Sequence, residues 1–450
     1  MDILSLVPQF GGFVWTIAAF VLALSVIVAI HEYGHYIVGR WSGIKADVFS
    51  IGFGPVVWSR VDRRGTRWQF AALPFGGYVK FAGDANAASG KDEQAMAEVE
   101  ADPVRLRETM HGAPLWARAA TVAAGPVFNF AMSIVVFAIV ILTTGVSRDP
   151  LTVGTLNPLP VEARGLQPGD ELLSINGTAI PSTDDGEAYS GFIDDLPMEP
   201  TLEYTVLRDN DTRNVEGTYL LPPLVSSLSP QSAAMSAGLE AGDVITGVDG
   251  QPIFAFDQLK QTVEGGNGAE LQLTVWRKGE IVEVTLTPKR VDEPQPEGGF
   301  QTQWRIGIAG GLAFEPATET PGLGGAVVGG IQQTWRIISG SVSGLSHMIT
   351  GAISTCNLSG PIGIAQTSGA MASMGAESFI WFIAVLSTAV GLLNLFPVPA
   401  LDGGHLVFYA YEAVSGKPPS DRALRVLMSF GLALVLTLMV FALGNDIFCP

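Results

Sequence analysis

The sequence predicts a membrane α-helical protein with four transmembrane helices and two inserted β-rich domains. The chain has a mean hydropathy of +0.34 and only 15% charged residues, which is too apolar for an ordinary soluble enzyme. Four stretches without charged residues each reach the roughly 20 residues needed to cross the hydrocarbon core of a bilayer. They lie at 11–30, 119–147, 378–401 and 426–445.

Acidic residues are concentrated in one block between the second and third stretches. Residues 148–320 hold 27 Asp and Glu against 10 Lys and Arg, so their net charge of −17 is nearly the whole chain's −18. Proteins that bind nucleic acids need a basic surface. We therefore expect no nucleic-acid partner.

The basic residues predict the orientation. With four spans, three basic clusters fall on one side of the membrane, which the positive-inside rule makes cytoplasmic. These clusters run from Arg40 to Arg67, from Arg105 to Arg118 and from Lys417 to Arg425. Both termini and the acidic block then lie outside, which is the periplasm for a bacterial inner-membrane protein.

Residues 337–376 also lack Asp, Glu, Lys and Arg, but we do not expect a fifth span there. The stretch is rich in Gly, Ser and Thr, and its apolar residues recur at helical spacing, which favours an amphipathic helix. A fifth span would also place Asp402 on the opposite side of the membrane from His35.

The acidic block contains an internal repeat. GLQPGDELLSING (Gly165–Gly177) recurs as GLEAGDVITGVDG (Gly238–Gly250), 73 residues later. Alternating strands are predicted after the copies, at 202–207, 271–276 and 281–286. The pattern is typical of tandem PDZ domains, which accept an extended peptide or a C-terminus by strand addition. A repeated structural fold without a ligand is the alternative.

A metal-binding pattern ends the first apolar stretch. His31-Glu32-Tyr33-Gly34-His35 matches H-E-x-x-H, and positions i and i+4 share one face of a helix. Both imidazoles can therefore reach one Zn²⁺, with Glu32 beside it as the general base. Ionisable side chains inside a membrane are costly and usually functional.

A hydrolytic zinc site needs a third protein ligand. Pro397 and Pro399 must break the helix of the third span, and Asp402 follows at the depth of His35. Asp402 is the predicted third ligand of one zinc ion per chain. His405 is the rival candidate.

Four motifs in this order resemble the site-2 protease family of intramembrane metalloproteases. They are HEYGH, AGPVFNF (Ala124–Phe130), the tandem repeat and NLFPVPALDGGH (Asn394–His405). The resemblance implies zinc held by His31, His35 and Asp402, with Glu32 as catalytic base. It also implies substrate handling by the N-x-x-P-x-P string and by a membrane-associated β-hairpin at Trp68–Phe81, with a Gly76-Gly77 turn. The substrate-binding candidates are thus Asn394, Pro397, Pro399, Gly76 and Gly77.

Five domains follow from these assignments. They are 1–147 with the first two spans and H-E-x-x-H, 148–222 and 223–310 as the PDZ domains, 311–376 as a periplasmic amphipathic segment, and 377–450 with the last two spans.

Two features have no assigned role. The linker at 84–103 is expected to be mobile, and Cys356 and Cys449 are expected to be free thiols.

The resemblance implies regulated intramembrane proteolysis near the cytoplasmic side of single-span membrane proteins. Its expected substrates are anti-sigma factors of an envelope stress response and remnant signal peptides, with the PDZ domains filtering or docking pre-trimmed substrates. Two alternatives are a proton-coupled transporter, using His31, Glu32 and Asp402 as a relay, and a membrane-anchored PDZ scaffold without metal.

Overall fold

The computed structural model of the protein describes residues 3–85, 90–161, 165–183, 185–295 and 299–449. The chain folds into two compact units. Unit 1 contains Met1–Val140, Leu323–Ser346 and Thr355–Pro450, and unit 2 contains Ile141–Gly322 and His347–Ser354.

Four helices are long and apolar enough to cross a membrane, as predicted: Gly12–Trp41, Leu115–Thr144, Ala376–Leu395 and Asp421–Phe448. The first lies within α1, and the others are α4, α10 and α12. The helices are α1 (Ile3–Trp41), α2 (Glu93–Val99), α3 (Pro103–Arg107), α4 (Leu115–Thr144), α5 (Gly186–Asp194), α6 (Ala233–Ser236), α7 (Phe256–Gly265), α8 (Leu323–Ile349), α9 (Pro361–Met374), α10 (Ala376–Leu395), α11 (Asp402–Ser415) and α12 (Asp421–Phe448).

The third span ends earlier than the sequence suggests. Helix α10 stops at Leu395, and residues 396–401 are not helical, because Pro397 and Pro399 cannot continue the ladder of backbone hydrogen bonds. Ala400, within this loop, adopts a positive φ of 85°. A new helix, α11, then begins at Asp402, where the sequence analysis predicted only a broken span.

The region predicted as one amphipathic helix forms two. Helix α8 covers its first part, and α9 follows after a connection that includes a short 3₁₀ turn at Thr355–Asn357. Among the described helices, neither α8 nor α9 qualifies as a membrane span.

The prediction of free thiols is wrong, because Cys356 and Cys449 form a disulfide with Cα atoms 5.6 Å apart. The end of α12 is already held beside this turn. Asn445 Nδ2 donates to Thr355 O at 2.7 Å, and the Asp446 carboxylate accepts from backbone amides that open α9, including that of Gly360 at 2.7 Å. These contacts bring two cysteines 93 residues apart in sequence into bonding range.

The strands of the described chain are β1 (Ala46–Val61), β2 (Arg67–Phe81), β3 (Val146–Ser147), β4 (Val153–Leu156), β5 (Glu171–Ile175), β6 (Thr178–Ala179), β7 (Thr201–Arg208), β8 (Asp211–Thr218), β9 (Val225–Leu228), β10 (Val244–Val248), β11 (Gln251–Pro252), β12 (Leu271–Arg277), β13 (Glu280–Leu286), β14 (Lys289–Pro294), β15 (Phe300–Arg305), β16 (Ile308–Gly310), β17 (Phe314–Pro316) and β18 (Thr318–Glu319).

Two long strands of unit 1, β1 and β2, fold into one curled sheet. Residues 56–61 pair with 67–71, residues 46–51 pair with 77–81, and 48–51 also lie opposite 67–70. The segments are therefore ordered 56–61, 67–71, 46–51 and 77–81 across the sheet.

The predicted Gly76-Gly77 hairpin turn is wrong. The tight turn lies at 62–66, where Asp62 Oδ1 accepts the backbone amides of Arg64 and Thr66 at 2.8 and 3.0 Å. An Asp at the start of a turn supplies such bonds itself. Gly77 instead lies opposite Ile51 within the sheet.

The predicted mobile linker contains regular structure in its described part. Asp92 and Asp102 cap α2 and α3 by accepting backbone amides of the first turn of each helix. Residues 86–89 lie outside the described residues.

Unit 2 contains two similar modules, as the sequence repeat predicts. The module 1 sheet has the order β6-β5-β7-β8, and the module 2 sheet has the equivalent order β11-β10-β12-β13. The strands predicted at 202–207, 271–276 and 281–286 are β7, β12 and β13. Helices α5 and α7 occupy equivalent positions after β6 and β11.

Each module is held by the same buried ion pair. Arg208 donates to both oxygens of Asp170 at 2.6 and 2.7 Å, and Arg277 does so to Asp243 at 2.7 Å for each bond. The two aspartates are those of the repeated Gly-Asp turn, and both are almost fully buried. Bidentate pairs of this kind are stronger and geometrically more specific than neutral hydrogen bonds.

The two modules are nested rather than consecutive. In module 2, β16 pairs with β9, and in module 1, β17 pairs with β4, with Phe314 opposite Leu156. Phe314 is 1% exposed in the same apolar core as Val153 and Leu172. Module 1 is therefore completed by residues that follow module 2, beyond the predicted boundary at 222.

Because Phe314 completes module 1 from a distance, Phe314→Ala should destabilise that module by about 3–5 kcal/mol. Hydrogen exchange on the full-length protein should show faster exchange in β5 and β7, with β10 and β12 unchanged. Glu315→Ala, which changes the exposed neighbour, is the control. Unchanged protection of β5 and β7 in Phe314→Ala would contradict the nested arrangement.

Candidate metal centre

Three donor side chains converge between α1 and the start of α11. His31 and His35 lie one turn apart on α1, with their Nε2 atoms 3.1 Å from each other. Asp402 Oδ2 lies 3.1 Å from His31 Nε2 and 3.5 Å from His35 Nε2. Within the described part of the chain, these three residues form the group of ligand atoms able to hold a metal ion.

The break between α10 and α11 places Asp402 in this group. Asp402 is the first residue of α11, so its side chain projects from a helix start and not from the middle of a span. Gly403 follows, and a methyl group there would overlap the backbone carbonyls of Leu395 and Phe396. The D-G-G sequence thus lets α11 begin against the end of the preceding loop.

Helix α4 packs behind the two histidines. A methyl group at Gly125 would overlap the His35 ring and come within 2.7 Å of His31 Cε1, so only glycine permits this approach. His35 Nδ1 donates to the carbonyl of Thr121 at 2.8 Å, which leaves Nε2 unprotonated and able to bind a metal.

Asn129 on α4 contacts the other histidine, a role that sequence reasoning missed. Its side-chain amide lies 3.3 Å from His31 Nδ1, and its Oδ1 is buried without a hydrogen-bond partner as placed. A half-turn of the amide group exchanges the positions of its oxygen and nitrogen. With the oxygen facing the ring, Asn129 accepts from His31 Nδ1–H, which gives the amide oxygen a partner and frees His31 Nε2.

The motif AGPVFNF (Ala124–Phe130) already indicates that Asn129 faces the histidines. Gly125 and Asn129 are four residues apart, so they share one face of α4, the face that meets α1. The Asn129 carbonyl is held in turn by the hydroxyls of Ser133 and Ser387 at 3.0 and 3.1 Å. These bonds join α4 to α10 behind the centre.

Glu32 lies beside the three donors and faces the curled sheet. The position that a Cβ would take at Gly77 is 3.1 Å from Glu32 Cγ. One edge of the sheet therefore reaches the acid that separates the two histidines in sequence.

The other predicted residues do not join the donor group. Asn394 lies in the last turn of α10, and Pro397 and Pro399 lie in the loop that leads to Asp402. A methyl group at Gly76 would overlap the Phe53 ring, away from the donors. His405, on α11, is half-buried and lies outside the group of donors formed by the described residues. The roles in substrate binding predicted for Asn394, Pro397, Pro399, Gly76 and Gly77 stay predictions.

An ion pair fixes α11 against α4. Arg118 donates to the two oxygens of Glu412 at 3.0 and 2.6 Å and to Ala113 O at 3.0 Å. Its guanidinium lies 5.2 Å from the centre of the Tyr409 ring, and Tyr409 packs on the core around Tyr36. Rotation of α11 that displaced Asp402 would break these contacts.

Comparison with known proteins assigns this arrangement to a family. The family model described as peptidase family M50 matches residues 19–438. The chain belongs to peptidase family M50. This confirms the predicted membership of the site-2 protease family, and neither the transporter nor the scaffold alternative fits it.

Relatives match over nearly their full length. A protein of Rhizobium meliloti (strain 1021), provisionally named a zinc metalloprotease, is 37% identical over 434 residues, covering 96% of each chain. A similarly named protein of Agrobacterium fabrum is 34% identical, covering 96% of this chain and 95% of its own. The regulator of sigma-E protease RseP of Salmonella typhimurium is 34% identical over 459 residues, covering 96% of this chain and 98% of its own.

The M50 peptidase is thus a multi-pass membrane metalloprotease, and its cofactor is zinc. The donor group suits that ion. Tetrahedral zinc with ligand bonds of 2.0–2.2 Å places neighbouring donor atoms about 3.3 Å apart, and the three separations here are 3.1, 3.1 and 3.5 Å. Asp402 Oδ2 is also buried without a hydrogen bond, as expected for an atom whose partner is a cation.

The Asn129 contact gives a test of the zinc site. Asn129→Leu should weaken zinc affinity about 10–100-fold, because His31 loses the acceptor that fixes its tautomer. Asn129→Asp retains an acceptor and should keep near-normal affinity. Competition with a chromophoric chelator measures both. Affinity of Asn129→Leu within about twofold of the unaltered protein would rule out this role.

Proposed function

We propose that this M50 peptidase hydrolyses peptide bonds of single-span membrane proteins inside the membrane. The observation that carries the proposal is the convergence of His31, His35 and Asp402 at the end of a helix long and apolar enough to span a bilayer. In this proposal the three residues hold the single zinc ion. The naming of a relative as the regulator of sigma-E protease supports the same class of reaction.

Glu32 is the proposed general base. When bound, zinc supplies a water with a pKa of about 7 and polarises the scissile carbonyl. Glu32 takes the proton from the attacking water and delivers it to the departing amide nitrogen, so the carboxylate is regenerated after each cleavage. Its place between His31 and His35 on α1, against Gly77 of the curled sheet, keeps it beside the centre.

The edge of the curled sheet is the proposed substrate platform. A peptide bond in a helix is shielded by its own hydrogen bonds, so the substrate must unwind before cleavage. Residues 77–81 pair with 46–51 on one side, and no other described strand pairs with their second edge. An unwound substrate segment added there would regain its backbone hydrogen bonds next to Glu32. Asn394, Pro397 and Pro399, just before Asp402, are proposed to line the other side of the path.

The two modules of unit 2 are proposed to be PDZ domains that filter or dock substrates already trimmed outside the membrane. Their shared strand order and the sequence repeat support this. In module 2 a peptide could add to the edge of β16 that does not pair with β9. Anti-sigma factors and remnant signal peptides are the proposed substrate classes, as the family resemblance implies.

The proposed location is the bacterial inner membrane, with unit 2 in the periplasm and the metal centre near the cytoplasmic side. The basic clusters support this orientation. The Cys356–Cys449 disulfide supports it as well, because disulfides persist in an oxidising compartment such as the periplasm.

Replacement of the base tests the catalytic proposal. Glu32→Gln should lower cleavage of a purified single-span substrate by about 10²–10⁴-fold while zinc stays bound, because it removes a base but no ligand. His31→Ala is the matched control and should lose zinc as well. Turnover of Glu32→Gln within about tenfold of the unaltered enzyme would exclude the role.

Cysteine labelling tests the orientation. Both native cysteines are paired, so a cysteine at Ser415, the last residue of α11, is the only free thiol of that variant. A membrane-impermeant maleimide should label it only after spheroplasts are permeabilised. Thr212→Cys, on an exposed strand of module 1, should be labelled in intact spheroplasts. The reverse pattern would overturn the orientation.

A further inference from the structure

The curled sheet of unit 1 contains a groove separate from the metal centre. The groove has a volume of about 490 Å³ and combines aromatic side chains with two arginines. Arg60 and Arg63 provide its positive charge. Its apolar lining consists of Phe49, Ile51, Trp58, Val61, Trp68 and Phe70. Nothing in the proposed hydrolysis uses these residues.

The groove lies at the level where lipid headgroups meet water. Its lining residue Trp68 packs with its ring 5.0 Å from that of Tyr36, near the end of the first span. That span ends at Trp41, five residues later, or about 7.5 Å along a helix. The headgroup layer on each side of a bilayer is about 5–8 Å thick, so the groove floor adjoins this layer.

The rim of the groove is built to enter the membrane. Trp58 and Phe70 lie opposite each other on neighbouring segments and are 50% and 49% exposed. Large apolar side chains in one exposed patch mark a surface that contacts another apolar body. Next to a membrane span, that body is the acyl region of the bilayer.

The arginines of the groove have no acidic partner among the described residues. Asp62 also lines the groove, but its oxygens are occupied. Oδ1 accepts the turn amides described above, and Oδ2 accepts from Trp68 Nε1 at 3.2 Å and Tyr36 Oη at 3.4 Å. The guanidinium groups of Arg60 and Arg63 are therefore available to an external anion.

We propose that this groove binds one anionic phospholipid. Its phosphate lies between Arg60 and Arg63, since guanidinium groups pair with phosphate in a bidentate manner. One acyl chain follows Trp58 and Phe70 towards the bilayer. The proposal does not depend on the catalytic role of Glu32 or on the identity of the substrate.

A lipid fits this groove better than a substrate peptide does. The edge at 77–81, beside Glu32, is the strand edge available for peptide addition. Residues 58–63 belong to the opposite edge of the sheet, three strand positions or about 14 Å away. A peptide bond held at this outer edge, beside Arg60, would therefore not reach the donors of the metal centre.

Lipid retention on the full-length protein tests the proposal. The protein is purified from membranes, reconstituted with phosphatidylglycerol and phosphatidylcholine of equal chain length, and analysed by native mass spectrometry. The unaltered protein should retain one phosphatidylglycerol per chain and no phosphatidylcholine. Each arginine removed should weaken retention about fivefold, and Arg60→Gln/Arg63→Gln together about 30-fold.

Arg64→Gln is the matched control, because Arg64 is exposed next to Arg63 but does not line the groove. It should retain the lipid, and zinc content should be normal in every variant. Equal loss in Arg64→Gln would show diffuse surface attraction and overturn the site. Unchanged lipid retention in the Arg60→Gln/Arg63→Gln variant would also overturn the proposal. If that variant kept the lipid but showed a raised KM for substrate, the groove would be a peptide site instead.

Discussion

The constraint on which unit 1 depends is the placement of a carboxylate against two imidazoles among apolar helices. Asp402 Oδ2 lies within 3.5 Å of both His31 and His35 and is buried without a hydrogen bond. Burying such a charge is costly unless a cation compensates it. The zinc ion of an M50 peptidase supplies that compensation, and much of the surrounding architecture positions the three donors for it.

The three donors are positioned by a break in the third span and by contacts that hold the neighbouring helices in place. The loop at 396–401 interrupts the third span so that Asp402 begins a helix. Arg118 and Glu412 hold that helix against α4. Thr121 and Asn129 on α4 contact the outer nitrogens of the two histidines. Irregular backbone is tolerated at membrane depth only where protein surrounds it, and Gly431 of α12 packs directly against Pro399 of the loop.

Features set by local chemistry could be predicted from the sequence. The four spans follow from length and hydropathy, the face shared by His31 and His35 follows from helical spacing, and the helix break follows from Pro397 and Pro399. The repeat likewise predicted two modules with the same strand order.

Features set by distant contacts could not be predicted in this way. Gly76-Gly77 has the composition of a turn, but Asp62 makes a better one with its own side chain. The disulfide depends on Asn445 and Asp446 holding the end of α12 beside Thr355 and the start of α9, which no local pattern reveals. Strand pairing between β4 and β17 was hidden for the same reason.

The nested strands also determine the order in which the protein can fold while it is made. Strand β17 begins 96 residues after the end of β8, and module 1 lacks this strand until the ribosome has synthesised those residues. At 5–20 residues per second, that interval is about 5–20 s. Module 2 can complete its sheet, and then β16, within this time, so the second module is finished before the first. An incomplete β4 edge is exposed meanwhile, and unpaired strand edges are the sites at which nascent chains associate wrongly. A chaperone in the compartment that receives unit 2 would find its target at this edge.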